Sequence, residues 1–233
     1  MERNSKLKRL EYWLKARLGK IAFIDVEKRI NKRWYGSEYG GFYVNPDSLD
    51  ARSVVYSFGI GQDISFDKAM IEQHQCSVFG FDPTPKSINW VRSQHLPPQF
   101  HFYPYGLGVR TEDVKFHLPR NKEHVSGSIF DHGLVSEEDY VSVPLKSFAD
   151  ILMDSGHTKI DVLKMDIEGS EYVVIDSILE SGIEINQLLL ETHERFFTDG
   201  KAKGTKFFNT LRQHGYRIFA ISDTYQEISL IKA

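Results

Sequence analysis

The chain has 233 residues, a length that suits one α/β domain with a small extension better than two full domains. Its single cysteine, Cys76, cannot form an internal disulfide, which favours a reducing compartment, so we expect a cytoplasmic protein. No apolar run approaches the roughly 20 residues of a membrane span. The charged N-terminus lacks the continuous apolar core of a signal peptide, so we expect neither a transmembrane segment nor a leader.

Charge is distributed unevenly along the chain. Residues 1–33 hold eleven Lys and Arg against four Asp and Glu, which gives this segment a net charge of +7. The whole chain carries −3, so residues 34–233 carry −10. A protein that binds nucleic acid usually presents a broad basic face, and this acidic body therefore argues against a nucleic-acid partner.

The basic segment, residues 1–33, is predicted to be an amphipathic helical extension. Its apolar residues recur at three- and four-residue steps, while Lys and Arg fill the other face. Gly19 is a place at which the helix can divide into two. The helix either caps the domain with its charges in solvent, or it contacts a partner or a membrane surface peripherally. The residues of the apolar stripe are Leu7, Leu10, Leu14, Leu18, Ile21 and Ile24.

Residues 34–233 are predicted to form a single domain in which strands and helices alternate. Turns with short strands occupy residues 34–50. Residues 106–143 look irregular, but we expect a strand at Val114 to Leu118, a loop and a strand near Val141, and Ser147 is a candidate cap for a helix over residues 148–155. Alternation of strands and helices indicates a mostly parallel sheet with helices on both faces. The runs GYRIFAI and YQEISLI predict an antiparallel hairpin at the C-terminus. The predicted parallel strands lie at residues 54–57, 78–81, 100–103, 160–165 and from 188 onwards.

Ligands of an open α/β sheet bind beyond the carboxyl ends of its strands. The first predicted parallel strand is followed by Gly59-Ile60-Gly61, where missing side chains let the backbone approach a ligand closely. The second is followed by Asp82, 21 residues beyond Gly61 and placed to accept hydrogen bonds from both hydroxyls of a ribose. S-Adenosylmethionine and the nicotinamide dinucleotides both offer such a ribose.

Asp63 favours the first of these cofactors. A dinucleotide needs a positive helix N-terminus for its pyrophosphate and a third glycine for close approach. Here Gln62 and Asp63 follow Gly61, and Ser65 stands at the fourth place after it. A carboxylate at Asp63 repels phosphate and suits the ammonium group of a methionine moiety. The alternatives are an NAD(P)-dependent oxidoreductase on a related fold and a non-catalytic binding module.

Four runs of the sequence resemble the successive blocks of FkbM-type methyltransferases, namely SVVYSFGIGQDISFD, VFGFDPTPKS, YGLGVRTEDVKFHL and IDVLKMDIEGSEYVVI. The resemblance extends from Trp34 to the C-terminus. It implies an α/β, Rossmann-like class I methyltransferase fold, in which a mostly parallel seven-stranded sheet ends in an antiparallel hairpin and has helices on both faces. The residues that the resemblance implies as cofactor contacts are Gly59, Gly61, Asp63, Asp82, Gly106, Tyr39, Gly40 and Gly41.

Candidate catalytic residues lie at the ends of the last two parallel strands. Methyl transfer to a hydroxyl needs an aligned nucleophile and a group that removes its proton. Asp166 ends the fourth strand, with Glu168 close behind it, and Glu191 and His193 end the fifth. In a metal-free mechanism His193 is the general base, since an unperturbed histidine pKa of about 6.5 suits proton removal. Alternatively, Asp166, Glu191 and His193 hold a divalent cation such as Mg²⁺.

The resemblance also implies the class of acceptor, which is a hydroxyl on a sugar, a glycan or a small metabolite. We expect Lys164, which lies within an apolar strand, to pair with Glu171 or Glu191. The sequence does not predict an oligomeric state. In the long loop 121–139, the residues expected to lie within reach of the active site are Ser126, Ser128 and His132.

Overall fold

Strands and helices alternate through most of the chain in a computed structural model, which describes residues 2–19, 21–119 and 135–233. The helices of the described part are α1 Glu2–Arg17, α2 Ser65–His74, α3 Pro85–Arg92, α4 Phe148–Ser155, α5 Glu171–Glu180 and α6 Gly200–Gln213. The strands are β1 Arg33–Tyr35, β2 Phe42–Val44, β3 Val54–Phe58, β4 Ser77–Phe81, β5 Phe100–Tyr103, β6 Gly106–Gly108, β7 Glu112–Pro119, β8 Val135–Ser147, β9 Lys159–Met165, β10 Glu184–Glu191, β11 Tyr216–Ile221 and β12 Glu227–Lys232.

The central sheet has seven strands in the order β11–β12–β10–β9–β3–β4–β5. All neighbours from β10 to β5 are parallel, whereas β12 is antiparallel to both β10 and β11. Crossover helices make the parallel pairs possible, and the short turn between β11 and β12 permits only a reversal of direction. The predicted sheet, including its C-terminal hairpin, is confirmed.

Apolar side chains cover both faces of this sheet, as near-continuous apolar strands require. On one face, α2 and α3 pack with the β1–β2 hairpin through residues such as Phe66 and Val91. On the other face, α4, α5 and α6 contribute Phe148, Ile175 and Phe207. Helices therefore lie on both faces, as the alternation of strands and helices indicated.

A second sheet contains the two strands that the sequence indicated at residues 114–118 and near Val141, here β7 and β8. Its three strands have the order β6–β8–β7, and β8 is 13 residues long. Charged residues interrupt the alternation of β8, which is why its sequence does not read as one long strand. The pairing of β6 with β8 places Gly106 beside Leu145. This sheet therefore carries the predicted cofactor contact Gly106.

The N-terminal helix ends earlier than its apolar spacing indicated. α1 stops at Arg17, and residues 21–32 continue without a helix, so that Ile24 enters the core from an extended segment. The backbone N–H of Glu27 donates to the carbonyl of Ile218, and a Glu27 carboxylate oxygen accepts from the Ile218 N–H. This pairing with edge strand β11 competes with helix formation. None of the described helices combines the length and apolar character that crossing a bilayer requires.

A buried glutamine attaches the β1–β2 hairpin to the central sheet. Gln187 of β10 is fully buried; its Nε2 donates to the Asn45 carbonyl, and its Oε1 accepts from the Asn45 N–H, both at 2.9 Å. Buried backbone groups need partners, and here one side chain supplies both. The hairpin, whose turn spans residues 36–41, is thereby held above the loop that follows β3.

Replacing Gln187 with leucine should destabilise the protein strongly. Gln187→Leu keeps a side chain of similar volume but leaves the Asn45 N–H and C=O buried without partners. This loss should lower the free energy of unfolding by roughly 2–4 kcal/mol. Urea unfolding followed by circular dichroism measures this loss. The matched control is Gln213→Leu at the exposed end of α6, which should change stability by less than about 0.5 kcal/mol. Equal losses in the two variants would contradict the role assigned to Gln187.

Candidate active site

A cavity of about 360 Å³ opens at the carboxyl ends of the parallel strands. Its wall is built from the loops after β3, β4 and β9, from the turn between β1 and β2, and from the second sheet. These loops meet because parallel neighbouring strands end at the same edge of the sheet. The sequence-predicted site residues that line the cavity are Tyr39, Gly40, Gly59, Gly61, Asp63, Asp82, Gly106, Asp166 and Glu168.

The two glycines of the loop after β3 are needed for different reasons. Both have positive φ angles, +82° at Gly59 and +57° at Gly61, which favour glycine. A Cβ on Gly59 would overlap the carbonyl oxygen of Asp166, so this glycine permits the ends of β3 and β9 to approach each other. A Cβ on Gly61 would meet open space beside the cavity. Only Gly61 therefore leaves the backbone open to a ligand in the way that the sequence suggested for both.

Asp82 holds the glycine loop in place. Its Oδ2 accepts hydrogen bonds from the N–H groups of Ile60 and Gly61, at 3.1 and 2.8 Å. Its Oδ1 accepts from the N–H and the hydroxyl of Thr84, at 2.9 and 2.7 Å. Burial raises the pKa of Asp82, and these hydrogen bonds partly offset the rise. The residue predicted to bind a ribose thus already connects the loops after β3 and β4.

Asp63 connects the glycine loop to the β1–β2 turn. Its Oδ2 accepts from the Ser37 hydroxyl at 2.6 Å, and its Oδ1 accepts from the Ser65 N–H at 2.7 Å, where α2 begins. Burial alone would raise the pKa of Asp63, but the hydrogen bonds from Ser37 and Ser65 lower it below its usual value. An ionised carboxylate therefore stands at the N-terminus of α2, where a dinucleotide would need room for its pyrophosphate.

The β1–β2 turn contributes two of its three predicted residues to the cavity. Tyr39 borders the cavity with 82% of its surface exposed, and a Cβ on Gly40 would lie only 2.9 Å from the Asp63 carboxylate. Gly41 lies behind the cavity wall, where a Cβ would overlap the Trp34 indole and the Ser37 carbonyl. Its role is to let the turn pack closely.

Four carboxylates surround the buried side chain of His193. Its Nε2 lies 3.3 Å from Glu168 Oε2, 3.6 Å from Glu191 Oε1 and 3.9 Å from Asp166 Oδ1. Its Nδ1 lies 3.3 Å from Glu171 Oε1. Asp166 and Glu168 also line the cavity, while His193 and Glu191 stand behind them. We call these five residues the acid–histidine cluster; it exists because β9 and β10 are parallel neighbours.

Glu171 is the member of this cluster whose role the sequence did not indicate. Its position in the first turn of α5 is enough to account for an acid, because negative charge is favourable at a helix N-terminus. In the structure it is buried, and it accepts hydrogen bonds from the N–H groups of Ile167 and Gly169, at 2.8 and 2.9 Å. These contacts fix the carboxylate against Nδ1 of His193, so that Nε2 faces the cavity side. The D-x-E-x-x-E spacing was the available signal, and helix-dipole stabilisation explained it without reference to His193.

Three members of the acid–histidine cluster have raised pKa values. Burial raises the pKa of Asp166, and burial with repulsion from Asp166 raises that of Glu191 to about 9. Burial alone would lower the pKa of His193, but Glu171 and Glu168 outweigh it, and the pKa lies well above its usual value. These protons belong to the cluster as a unit. The raised pKa speaks against an unprotonated His193 acting as general base at neutral pH.

Lys164 has a different partner from the one expected. Its Nζ donates to the carbonyl of Gly59 at 3.0 Å, which places the ammonium group beneath the glycine loop. Its charge also acts on buried Asp67: burial raises the pKa of Asp67 to about 6, even though Lys164 partly offsets the rise. Glu171 bonds to backbone N–H groups and faces His193 instead. Lys164 therefore supports the glycine loop.

Some candidate ligand atoms for a metal ion lie close together. Within the described part of the chain, Asp166, Glu171 and His193 offer ligand atoms that all lie within 4.8 Å of one another. The sequence pointed to Glu191 in place of Glu171, and Glu191 Oε1 lies 3.6 Å from the His193 Nε2. Ser126, Ser128 and His132 lie outside the described residues.

The sheet topology, the glycine loop and the acid-lined cavity at the strand ends define a Rossmann-like class I methyltransferase. A family model described as the methyltransferase FkbM domain matches residues 11–218. The chain belongs to this family. Family and fold are those of methyltransferases that use S-adenosylmethionine, so the dinucleotide alternative is not supported.

Two curated relatives are similar to this chain over part of their length. Two curated proteins described as "Probable methyltransferase-like protein 24", from Homo sapiens and Rattus norvegicus, are each 27% identical over 182 residues, or 75% of this chain. The chain spans 43% of the human protein and 44% of the rat protein, less than half of either.

Solved structures that match this chain share little sequence identity with it. The METTL16 MTase domain (crystal form 2) is 10% identical with a TM-score of 0.46, covering 81% of this chain and 62% of that one. Aeropyrum pernix fibrillarin with natively bound S-adenosyl-L-methionine is 9% identical with a TM-score of 0.42, and the match covers 88% of this chain and 83% of that one.

Replacing Glu191 should change how stability depends on pH. Because its pKa rises from 4.5 to about 9 on folding, the folded state holds a proton that the unfolded state releases across that interval. The stability of the unmodified protein should therefore fall as pH rises through this range. Glu191→Gln removes this contribution, so its stability relative to the unmodified protein should increase by about 1 kcal/mol or more between pH 5 and 9.

Urea unfolding at pH 5, 7 and 9 in EDTA measures this difference. Glu180→Gln, at an exposed position of α5, is the matched control for the loss of a carboxylate. A Glu191→Gln offset that changes with pH no more than that of Glu180→Gln would show that the pKa of Glu191 is not raised in the folded protein.

Proposed function

We propose that this chain is an S-adenosylmethionine-dependent methyltransferase that methylates a hydroxyl of a sugar, a glycan or a small metabolite. The observation that carries the proposal is that Asp166 and Glu168 of the acid–histidine cluster border the same cavity as Gly61. A methyl donor bound at the glycine loop would then lie beside groups that can take up a proton. Membership of the FkbM family supports the reaction class.

The cavity wall fits S-adenosylmethionine, which supplies an activated methyl group on a sulfonium ion. The Thr84 hydroxyl, now bound to Asp82, has a second acceptor in Ser87 Oγ at 2.7 Å. Asp82 can therefore accept from a ribose hydroxyl without leaving a buried donor unpaired. The ionised Asp63 suits the methionine ammonium, and Gly61 leaves its backbone accessible.

Further residues of the cavity wall are assigned to the adenine and to the methionine end of the cofactor. Gly106 and Leu107 border the cavity from β6, and we assign this buried, largely apolar part of the wall to the adenine. Tyr39 and Gly40, in the turn held by Ser37 and Asp63, cover the methionine end.

Carboxylates, rather than a free imidazole, would take up the acceptor proton in this proposal. Asp166 borders the cavity, and its raised pKa makes it a stronger base than a solvated carboxylate. Glu168 accepts a hydrogen bond from the acceptor and orients it. His193, held by Glu171, offsets the negative charge of the cluster.

A divalent cation is the second version of this chemistry. His193 Nε2 lies 3.9 Å from Asp166 Oδ1 and 3.6 Å from Glu191 Oε1, separations that suit atoms sharing one metal ion. Glu171 would hold the other ring nitrogen, as carboxylates do for histidines that bind metals. Mg²⁺ held by Asp166, Glu191 and His193 would lower the pKa of an acceptor hydroxyl.

The acceptor class agrees with the charge around the cavity. Carboxylates accept hydrogen bonds from the many hydroxyls of a sugar, and they repel phosphate groups. The net charge of −10 on residues 34–233 likewise supports an acceptor other than nucleic acid. A cytoplasmic location remains a prediction from the sequence.

Cofactor binding should raise the unfolding temperature. S-Adenosylhomocysteine at about 100 times its Kd should stabilise the protein by about 2.7 kcal/mol, a shift of several degrees, and NAD should give none. Asp82→Asn should abolish the shift, because an amide cannot accept all four hydrogen bonds that Asp82 accepts. Asp176→Asn, at an exposed position of α5, should keep it. Stabilisation by NAD but not by S-adenosylhomocysteine would refute the proposed cofactor.

Asp166 should be essential for turnover. Transfer from tritium-labelled S-adenosylmethionine to a panel of monosaccharides, oligosaccharides and hydroxylated metabolites should fall about 10²- to 10⁴-fold in Asp166→Asn and stay unchanged in Asp176→Asn. His193→Ala should also lose turnover while keeping the thermal shift with S-adenosylhomocysteine. Full activity in Asp166→Asn would exclude it as the base.

The same assay distinguishes the two versions of the mechanism. If the metal-free version holds, EDTA should leave transfer unchanged. If a cation takes part, EDTA should remove activity and Mg²⁺ should restore it. Transfer to amines alone, and to none of the hydroxyl acceptors, would contradict the proposed acceptor class.

A further inference from the structure

Helix α1 exposes a row of leucines on the side that faces away from the domain. Leu10, Leu14 and Leu18 are 54%, 46% and 71% exposed, and we call them the leucine ridge. Leu18 continues the helical turn, because its N–H donates to the Leu14 carbonyl at 2.9 Å. Residues two apart on a helix lie about 200° apart, so the partly buried Tyr12 and Ala16 occupy the opposite side.

The side opposite the ridge is the one attached to the domain. The Tyr12 ring stacks on the Tyr225 ring, with centroids 4.1 Å apart and planes inclined by 11°. Its hydroxyl donates to the carbonyl of Ala22 at 2.9 Å. This attachment directs the leucine ridge into solvent, which is unfavourable for three large apolar side chains in water.

Positive charge surrounds the ridge. Lys15 and Arg17 are exposed. The Lys15 Nζ lies 2.7 Å from a carboxylate oxygen of Glu11 on the same helix, and the Arg17 guanidinium lies 4.8 Å from the ring centroid of Trp13, which is itself exposed. In the sequence, residues 1–20 hold seven Lys and Arg against two Glu. Most of the positive charge of residues 1–33 is therefore concentrated on the element that also presents exposed apolar surface.

We propose that α1 binds the surface of an anionic phospholipid membrane, lying in the interface plane with the leucine ridge among the acyl chains. An anionic bilayer offers an apolar layer to the leucine ridge and dense negative charge to a helix whose net charge is positive. Trp13 suits the headgroup level, where indole rings are enriched. Pairing of two copies through the ridge would instead bring two segments of net charge +7 together.

Vesicle co-sedimentation of the full chain tests this inference. Binding to phosphatidylcholine vesicles with about 30% phosphatidylserine should be clear, should weaken as salt is raised, and should be absent with phosphatidylcholine alone. Equal binding to both kinds of vesicle, or binding to neither, would overturn the proposal.

A matched pair of variants identifies the surface that binds. Leu10→Glu/Leu14→Glu should weaken binding to the anionic vesicles at least tenfold, while Val109→Glu/Met153→Glu, which adds the same charge at exposed apolar positions elsewhere, should change it less than threefold. Lys15→Ser/Arg17→Ser keeps the ridge and should also weaken binding about tenfold or more. Equal losses in the ridge and control variants would overturn the proposal.

Two controls separate a loss of membrane binding from misfolding and from dimer formation. Circular dichroism and the S-adenosylhomocysteine thermal shift show whether each variant is folded. Size-exclusion chromatography with light scattering measures the mass in solution; a dimer that only Leu10→Glu/Leu14→Glu dissociates, together with no vesicle binding, would assign the ridge to contact between copies and overturn the membrane proposal.

Discussion

The close contact between Gly59 and the carbonyl of Asp166 is the constraint on which the site depends. Parallel pairing of β3 with β9 brings these two strand ends together, and no Cβ fits between them. The Gly59 N–H donates to the Phe81 carbonyl on β4, and Lys164 donates to the Gly59 carbonyl. The proposed cofactor loop and the acid–histidine cluster are thereby held against each other by backbone geometry, before any ligand is present.

The acid–histidine cluster is unfavourable for folding and has the character of a functional site. Burying several carboxylates around one histidine costs free energy that an apolar core would not. Glu168 also adopts a left-handed φ of +54°, a strained conformation for a residue with a side chain. Raised pKa values, backbone strain and a cavity coincide at this one place. That combination is typical of active sites, because catalysis needs groups whose proton affinity differs from that in water.

Much of the fold and part of the site were accessible from pattern alone. Alternating strands and helices predicted the parallel sheet, and Ser147 was identified as the cap of α4, whose Asp150 N–H its hydroxyl binds. Asp82 and Asp166 were predicted at the strand ends where they lie, and Asp63 in the loop that follows the first parallel strand. Two strands of the second sheet were predicted, but the full length of β8 was not, because charged residues obscure its pattern. Gly19 was identified as a place where the N-terminal helix can end, whereas the contact of Glu27 and Lys28 with β11 is long-range and leaves no local signal.

By itself, the sequence determined the order of the elements, the parallel direction of the main strands and the residue types at their carboxyl ends. These features follow from local periodicity and spacing. Only the tertiary structure decided that Gly59 serves strand packing, that Glu171 lies against His193 and that Lys164 bonds to the glycine loop. The physical reason is that each of these roles depends on the distance between atoms of different strands, which local spacing along the chain does not specify.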